Sequence, residues 1–227
     1  MNLHSELIVM LTHNDHTVHN AYEIFEQCRN SKAVYWGFKE EPLSSDEVKK
    51  LYAYMKSCGK KTVLEVVAYT EKEGLEGAKM AIECECDILM GTMYSDTINA
   101  LCRENNLKYM PFVGKVTKRP SILEGTIDSM LHEADRLLQK GVYGFDLLGY
   151  RYIGDAVKLN QQFVSGVNAP VCIAGSVNSY RRLDEIKQLK PWAFTIGSAF
   201  FEKQFGNDFC EQINKVCEYI DEERAMK

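Results

Sequence analysis

The sequence predicts an α/β fold in which the whole chain, residues 1–227, forms a single (β/α)8 barrel of the TIM type. Apolar runs of strand length alternate with longer amphipathic segments, a pattern typical of successive strand and helix units in a parallel sheet. About eight such runs occur, the number at which a parallel sheet closes into a barrel. The 227 residues, 45% of them hydrophobic, suit one barrel, and no linker or change in composition divides them.

The predicted strands are apolar runs, each followed by a predicted helix. Pro170 and Pro191 stand at the first residues of two of them, where a missing amide proton costs least. An open, doubly wound sheet is the main alternative, because alternation of strands and helices does not show closure. We place the strands near residues 6 to 12, 33 to 38, 62 to 68, 86 to 92, 108 to 114, 142 to 148, 170 to 175 and 192 to 197.

Capping residues and a glycine mark the ends of several predicted helices. Ser44 stands before a long amphipathic segment that Gly59 can end. Ser95 or Asp96 can cap a later helix, and Ser179 can begin another. These signals set the helix boundaries between the strands.

The composition argues against several classes of partner. The formal net charge is −5 and the chain has no long run of lysine or arginine, so we predict no nucleic-acid partner and no membrane surface. No stretch approaches the roughly 18 apolar residues that span a bilayer. The amino end, MNLHSELIVM, lacks a basic region ahead of an apolar core, so we expect a cytoplasmic protein.

Eight cysteines are scattered through segments that are mostly predicted to be helix or strand. A chain of this size can build its own core, so we expect them to be reduced, small hydrophobic residues. Cys84 and Cys86 flank Glu85 too closely for the usual zinc site, and no second pair accompanies them. We predict no metal ion and no other cofactor.

Two apolar strands near the end of the chain each run into Gly-Ser and then into a predicted helix. The first ends APVCIAGS and the second PWAFTIGS. Glycine lets the backbone approach a ligand, and the amides at a helix start present partial positive charge. In (β/α)8 barrels the loops after strands seven and eight are a recurrent phosphate site. The predicted phosphate-binding residues are Gly175, Ser176, Gly197 and Ser198.

Charged residues lie in or just after apolar strands, where barrel enzymes carry their chemistry. Glu65 lies inside TVLEVVAY, Lys115 follows YMPFVG, and Asp146 follows VYGF. A charge in apolar surroundings is costly unless it is paired or faces a wet cavity. Glu65 is therefore a candidate general acid or base, and a buried glutamate held by a lysine is the structural alternative.

We predict Glu65, Lys115 and Asp146 as the catalytic residues. Lys115 can stabilise an alkoxide or enolate, or form a Schiff base with a substrate carbonyl. Strands three and five contribute to the same side-chain layers of a barrel, so Glu65 and Lys115 can face one substrate, or form a structural ion pair. Asp146 can orient Lys115 or act as a second base.

The first predicted loop holds three histidines. His13, His16 and His19, with Asp15 between them, raise the alternative of a zinc or iron site, although their spacing matches no metal motif. Asp15 or Thr17 can instead cap the helix that follows. The predicted substrate-binding residues, all at strand ends, are His13, Asn14, Lys39 and Arg151.

The segments IAGSVNS and TIGSAFF, which contain both Gly-Ser turns, resemble the ribulose-phosphate-binding barrels. That superfamily includes the phosphoribosyl isomerases of histidine and tryptophan biosynthesis, hexulose-phosphate synthase, ketogulonate-phosphate decarboxylase and aminosugar-phosphate epimerase. The resemblance covers the whole chain as architecture and the last two units as motifs, and it implies a phosphate cradle at the two turns. The chain also resembles uncharacterised bacterial barrels, some of them labelled 4-hydroxythreonine-4-phosphate dehydrogenase.

Two departures from that superfamily concern the catalytic residues. The decarboxylase and hexulose-phosphate synthase branch has an Asp-x-Lys-x-x-Asp pattern on strand three, where this chain has Glu65 followed by Val66, Val67, Ala68 and Tyr69. The histidine-pathway isomerases use aspartates on strands one and five, where this chain has His13 and Lys115. The chemistry of either branch therefore does not transfer directly.

The sequence thus predicts an enzyme that acts on a small phosphorylated sugar or related metabolite. Isomerisation or epimerisation by proton abstraction next to a carbonyl is the leading hypothesis, with Glu65 as base and Lys115 stabilising the enediolate. A Schiff-base aldolase or lyase using Lys115 is the first alternative, and a phosphometabolite-binding protein without catalysis is the second. Exposed aromatic residues and short loops would allow a homodimer.

Overall fold

The structure is a computed structural model that describes residues 5–222. Eight parallel strands in this range alternate with helices and form one sheet, as predicted. Each strand is shorter than its apolar run. The strands are β1 (Glu6–Met10), β2 (Tyr35–Lys39), β3 (Lys61–Val66), β4 (Ile88–Gly91), β5 (Lys108–Met110), β6 (Phe145–Leu147), β7 (Val171–Ile173) and β8 (Ala193–Ile196).

The barrel closes between β5 and β6. Along the sheet the strands follow the order β6, β7, β8, β1, β2, β3, β4, β5, and neighbouring strands are parallel. Just after β5, Phe112 forms a parallel bridge to Asp146 of β6. The Asp146 amide also donates a hydrogen bond to the Pro111 carbonyl over 3.0 Å. The predicted (β/α)8 barrel is confirmed, and the open-sheet alternative is excluded.

The helices lie outside the sheet and begin at the predicted caps. The Ser44 hydroxyl accepts a hydrogen bond from the Glu47 amide, and the Glu47 carboxylate accepts one from the Ser44 amide, which is a capping box. Ser95 accepts hydrogen bonds from two first-turn amides. The helices are α1 (Ala21–Cys28), α2 (Ser45–Ser57), α3 (Glu71–Glu83), α4 (Asp96–Glu104), α5 (Ile127–Gln139), α6 (Ala156–Gly166), α7 (Tyr180–Leu189), α8 (Ser198–Phe201) and α9 (Phe209–Asp221).

Apolar residues fill the lower part of the barrel interior and leave its upper part to polar groups. Side chains alternate along a strand, so Glu65 lies on the same inner face of β3 as Val63. Aromatic rings pack at the amino ends of the strands, where Trp192 lies 5.5 Å from Tyr35 and 6.2 Å from Tyr143 between ring centroids. The inner cluster comprises Ile8, Met10, Val63, Ile88, Met90, Met110, Cys172 and Ala193.

Two short hairpins rise from the carboxyl ends of the strands. Thr12–His13 pairs with His16–Thr17, and Lys115–Thr117 pairs with Ile122–Glu124. Asn14 has a φ of +50° and Asp15 one of +68°, as a two-residue hairpin turn requires. The prediction that Asp15 or Thr17 caps α1 was therefore wrong, because these residues form the hairpin and α1 begins later, after Asn20.

Two of the eight cysteines form a disulfide. Cys28 at the end of α1 and Cys210 in the first turn of α9 are bonded, with their Cα atoms 5.1 Å apart. The other six are free thiols. The prediction that all the cysteines are reduced was wrong for this pair, because residues 182 positions apart in sequence meet where α9 packs beside α1.

Within residues 5–222 the structure contains no helix that is both long enough and apolar enough to cross a membrane.

Candidate functional site

A cavity of about 230 Å³ opens at the carboxyl ends of the strands. In (β/α)8 enzymes this is the face that carries the active site. Seven of the eleven predicted site residues line it: Lys39, Glu65, Arg151, Gly175, Ser176, Gly197 and Ser198. The other lining residues are Met10, Thr12, Asp15, Leu148, Val177, Asn178, Thr195, Ile196, Ala199 and Glu202.

One wall of the cavity is a buried cluster of charged side chains. Lys39 ends β2 and is paired in register with Glu65 of β3. The Lys39 ammonium forms an ion pair with Asp15 and lies 3.7 Å from the Glu65 carboxylate. Lys39 is 4% exposed and Glu65 7%. Burying these charges is tolerated because they are paired and face a polar cavity.

Asp15 joins this cluster to a second cation. The Arg119 guanidinium, which comes from the hairpin after β5, donates a hydrogen bond to Asp15 over 2.9 Å and also reaches Glu40 at 3.4 Å. Burial raises the pKa of Asp15, but the positive charges of Lys39 and Arg119 outweigh it and hold that pKa below its ordinary value of 3.8. Asp15 is therefore a carboxylate that orients the Lys39 ammonium.

The first hairpin is held against β2 at the same point. The Thr17 hydroxyl donates a hydrogen bond to the Lys39 carbonyl over 2.8 Å and accepts one from the Lys39 amide over 2.9 Å. These bonds bring the hairpin turn, with Asp15, over the end of β2. The position of Lys39 is thus fixed through both its backbone and its side chain.

The two Gly-Ser turns also line the cavity. Gly175 has a φ of +77°, and a Cβ at this position would lie 2.6 Å from the Arg151 Nε, so the guanidinium packs directly on the turn. A Cβ at Gly197 would lie 2.6 Å from the Thr12 hydroxyl. Only glycine leaves room for these approaches.

The two turns differ in whether their backbone amides already donate hydrogen bonds within the protein. The Gly175 amide donates to the Thr195 hydroxyl over 3.2 Å and is therefore engaged. In the second turn the first hydrogen bond of the short α8 runs from the Phe200 amide to the Gly197 carbonyl. The amides of Ser198 and Ala199 precede it at the start of this helix, and both residues line the cavity.

Asp146 lies beneath the cavity rather than on its surface. It is 1% exposed, and among residues 5–222 neither of its carboxylate oxygens has a hydrogen-bond partner. Burial raises the pKa of Asp146 well above its ordinary value, and the negative charge of Glu65 raises it further, while Lys39 and Arg151 act in the opposite direction. The ionised form of this carboxyl group is therefore disfavoured.

The structure does not bring Lys115 together with Glu65. Strand β5 ends at Met110, and the chain turns at Gly114, with a φ of +73°, into the second hairpin. The Lys115 side chain there is 72% exposed and lies 3.2 Å from Glu124. The prediction that Lys115 shares the cavity with Glu65 was wrong, because the apolar run was taken as strand up to residue 114.

The first hairpin places His13 and Asn14 against α8, and neither residue lines the cavity. The His13 ring stacks on Phe201 with the centroids 5.4 Å apart, and the Asn14 amide donates to the Ser198 hydroxyl over 3.3 Å. Their contribution is to position α8 and its serine. Across residues 5–222, no three His, Cys, Asp or Glu side chains are grouped so that they could hold a metal ion.

Sequence reasoning missed Arg119 and the role of Asp15. Arg119 carried no signal, since it lies in a polar loop and meets Asp15 across 104 residues of sequence. Asp15 was visible at a strand end, but its hairpin was not. A search for every charged residue near the carboxyl end of a strand would have included Asp15 but not Arg119, which lies in the hairpin beyond β5.

No known protein family matches the chain, and no curated protein matches it. Solved structures do. N-acetylmannosamine-6-phosphate 2-epimerase from Clostridium perfringens has a TM-score of 0.63 at 12% identity, over 87% of this chain and 88% of that one. The tryptophan synthase alpha chain from Legionella pneumophila has a TM-score of 0.67 at 10% identity, over 97% and 92%.

A third structure is a monomeric form of phosphoribosylanthranilate isomerase from Thermotoga maritima, with a TM-score of 0.61 at 12% identity over 96% of this chain and 99% of that one. All three are named as enzymes. At such low identity the likeness shows the fold alone. None of these three is a dehydrogenase, so they lend no support to the resemblance to the dehydrogenase-labelled branch.

Proposed function

We propose that this protein is an enzyme that isomerises or epimerises a small phosphorylated metabolite by removing a proton next to a carbonyl. The observation that carries the proposal is the layout of the cavity. The cavity is lined both by the buried Lys39–Glu65 pair and by the two Gly-Ser turns with Arg151. A substrate in this cavity would meet both a base and phosphate-binding groups.

The phosphate end is proposed to lie at the two turns. Arg151 supplies a guanidinium, which suits the geometry of a phosphate, and it packs on Gly175. The hydroxyls of Ser176 and Ser198 and the amides that begin α8 add donors. Glu202, which directly follows α8, also lines the cavity.

At the reacting end, Glu65 is proposed as the base and Lys39 as the cation that stabilises the enediolate. Lys39 takes the role that the sequence suggested for Lys115. Its ammonium lies 3.7 Å from Glu65. It can stabilise the negative charge that develops on a carbonyl oxygen while Glu65 removes the proton from the neighbouring carbon. Asp15 orients the ammonium and so acts through Lys39.

The neighbours support the class of reaction. Two of them are named as an epimerase and an isomerase, and the name of the epimerase specifies a 6-phosphate substrate. The cavity of about 230 Å³ lies just below the usual range of ligand pockets, about 300–1,000 Å³. A small substrate fits this size better than a nucleotide or another large cofactor.

The aldolase alternative needs a lysine in the cavity that can act as a free amine. Lys115 is 72% exposed and lies outside the cavity, and the ammonium of Lys39 is engaged by two carboxylates. Reduction with borohydride in the presence of a ligand that binds separates the mechanisms, since an imine leaves a covalent adduct on lysine. We expect no adduct. The homodimer and the cytoplasmic location stay predictions.

A thermal-shift screen tests the proposal. The purified protein is tested against phosphosugars, their unphosphorylated counterparts and inorganic phosphate. A ligand at a hundred times its dissociation constant adds about 2.7 kcal/mol to the free energy of unfolding. We expect stabilisation by a phosphosugar, its loss in Gly197→Asp, and its persistence in Lys115→Met, which changes a residue outside the cavity.

The same ligand then separates an enzyme from a binding protein. Glu65→Gln should keep the stabilisation and lose turnover, because the amide keeps the shape of the side chain but cannot accept a proton. Equal turnover by the wild type and Glu65→Gln would contradict the assignment of the base. A protein that binds the ligand without converting it would be a sensor or a carrier. Stabilisation that survives in Gly197→Asp would place the ligand outside the two turns.

A further inference from the structure

We infer that Arg182, in the first turn of α7, is a positioning residue that holds the turn after β7 and Arg151 in the geometry that binds a phosphate. Arg182 does not line the cavity, so it acts through the residues that do. The inference deepens the proposed function and rests on it for one point, namely that the phosphate of the ligand lies at the Gly-Ser turns.

Arg182 stands at a position in its helix that does not favour a cation. Helix α7 begins at Tyr180, so Arg181 and Arg182 both lie in its first turn, which contains no acidic residue. The amides at the start of a helix carry partial positive charge, and a positive side chain beside them is unfavourable. The placement of Arg182 is therefore explained by its contacts outside the helix.

The Arg182 guanidinium binds the turn after β7. Its Nη1 donates a hydrogen bond to the Ser176 carbonyl and another to the Asn178 Oδ1 over 3.2 Å. Ser176 has a φ of +61°, in the left-handed region that residues other than glycine rarely adopt, and it directly follows Gly175. Such a conformation persists when the surroundings fix it. Arg182 thus holds the carbonyl of this residue, and Ser176 and Asn178 both line the cavity.

The same guanidinium packs against the segment that carries Arg151. The Cζ atom of Arg182 lies 4.7 Å from the centroid of the Tyr150 ring, a cation–π contact. Tyr150 and Arg151 belong to one short helical turn after β6. Arg151 in turn packs on Gly175, where a Cβ would lie 2.6 Å from its Nε. Arg182 therefore joins the segment after β6 to the turn after β7.

The charges of these two arginines suit an anion. Lys39 and Arg119 each form an ion pair with Asp15. Within residues 5–222, by contrast, neither Arg151 nor Arg182 forms an ion pair with a carboxylate. Positive charge that no acid neutralises raises the local concentration of a negatively charged ligand. The two guanidinium groups therefore favour a phosphorylated ligand over its unphosphorylated counterpart.

Binding of inorganic phosphate to Arg182→Met tests the inference, with Arg181→Met as the matched control. The Arg181 side chain is 85% exposed and lies 3.4 Å from Glu185, so both variants remove one positive charge from the same turn of α7. In a thermal-shift titration the Kd for phosphate should rise about tenfold in Arg182→Met, since coupled sites typically change affinity by about 5–150-fold. It should change little in Arg181→Met. Arg182→Lys keeps the charge but loses the planar guanidinium, so it should recover only part of the affinity.

Amide hydrogen exchange on the ligand-free protein tests the positioning without phosphate. The Gly175 amide donates a hydrogen bond to the Thr195 hydroxyl over 3.2 Å. This amide should exchange faster in Arg182→Met than in the wild type or in Arg181→Met, because the turn that contains it is held less firmly. Amides within β7 should keep their wild-type rates, which separates loosening of the turn from a general loss of stability.

An equal rise in the Kd for phosphate in both methionine variants would overturn the inference, since loss of charge alone would then explain it. So would full recovery of affinity in Arg182→Lys, or an unchanged rate of exchange at Gly175 in Arg182→Met. If Arg182→Met does not fold, Arg182→Lys is used for both measurements. If the wild type does not bind phosphate, the proposed phosphate site fails, whereas the exchange rates still decide whether Arg182 holds the turn.

Discussion

Replacing Lys39 by methionine should be the most damaging single change at the cavity. The side chain is 6% exposed, and its ammonium contacts Asp15 and Glu65, whose side chains are 6% and 9% exposed. Removing one member of a buried ion pair costs about 3–5 kcal/mol because the remaining charge stays buried without its partner. Methionine has a similar length, so little packing volume is lost.

The expected magnitude lies at the lower end of that range. Asp15 keeps its hydrogen bond of 2.9 Å from Arg119, so the loss falls mainly on Glu65, which borders the cavity. We expect Lys39→Met to lower the free energy of unfolding by about 3 kcal/mol. For a chain of this size the melting temperature should fall by about 6–12 °C, at about 2–4 °C for each kcal/mol.

The loss of stability in Lys39→Met should be smaller at acidic pH. Once its partner is gone, Glu65 is less costly to bury when protonated, so the deficit should be larger at pH 7 than at pH 5. Urea unfolding at both pH values measures this deficit when the wild type is compared with Lys39→Met and Lys115→Met. Lys115 is 72% exposed, and its pair with Glu124 is worth about 0–1 kcal/mol. Equal losses in the two variants, or a Lys39→Met deficit that does not change with pH, would refute the reasoning.

Three further predictions concern the buried acid, the disulfide and the hairpin contact. The raised pKa of Asp146 means that the folded protein keeps a proton that the unfolded chain releases above about pH 4, so this group loses about 1.4 kcal/mol of stability per pH unit from there up to its raised pKa. In urea unfolding, Asp146→Asn should therefore gain stability relative to the wild type as the pH rises, and a constant difference between the two would contradict this. Thiol titration of unfolded, unreduced protein should find six thiols, and eight after reduction, because Cys28 and Cys210 are bonded; eight thiols before reduction would disprove the bond. Arg119→Gln removes a hydrogen bond to the Asp15 carboxylate and should lower the free energy of unfolding by about 1.5 kcal/mol, and no change would mean that the two hairpins are held by other contacts.

The barrel could be predicted from local signals. A parallel strand is buried on both faces, so it appears in the sequence as an apolar run, and the helices between such runs carry their own caps, as Ser44 and Ser95 do. The ends of the strands were harder to place. The run before Lys115 stays apolar to residue 113, although β5 ends at Met110, because the residues that follow are buried in the loop.

The candidate site was predicted in part. Glu65 could be identified because a carboxylate inside an apolar strand is costly unless it is paired or faces a cavity. The Gly-Ser turns could be identified because they end two successive strands. Lys39 was assigned to substrate binding, but its partnership with Glu65 depends on the register between β2 and β3. Register is set by the packing of the whole sheet, so it cannot be deduced from the sequence of either strand alone.

The amino-acid pattern was sufficient to predict the fold class and the order of strands and helices. It was also sufficient to predict that polar groups lie at the carboxyl ends of the strands. Those features follow from periodicity and from single residues, which are local properties of the chain. The ion pairs of Asp15, the burial of Asp146, the exposure of Lys115 and the Cys28–Cys210 bond required the folded barrel. Each joins or separates groups that are distant in sequence, and closure of the barrel is what brings them together or keeps them apart.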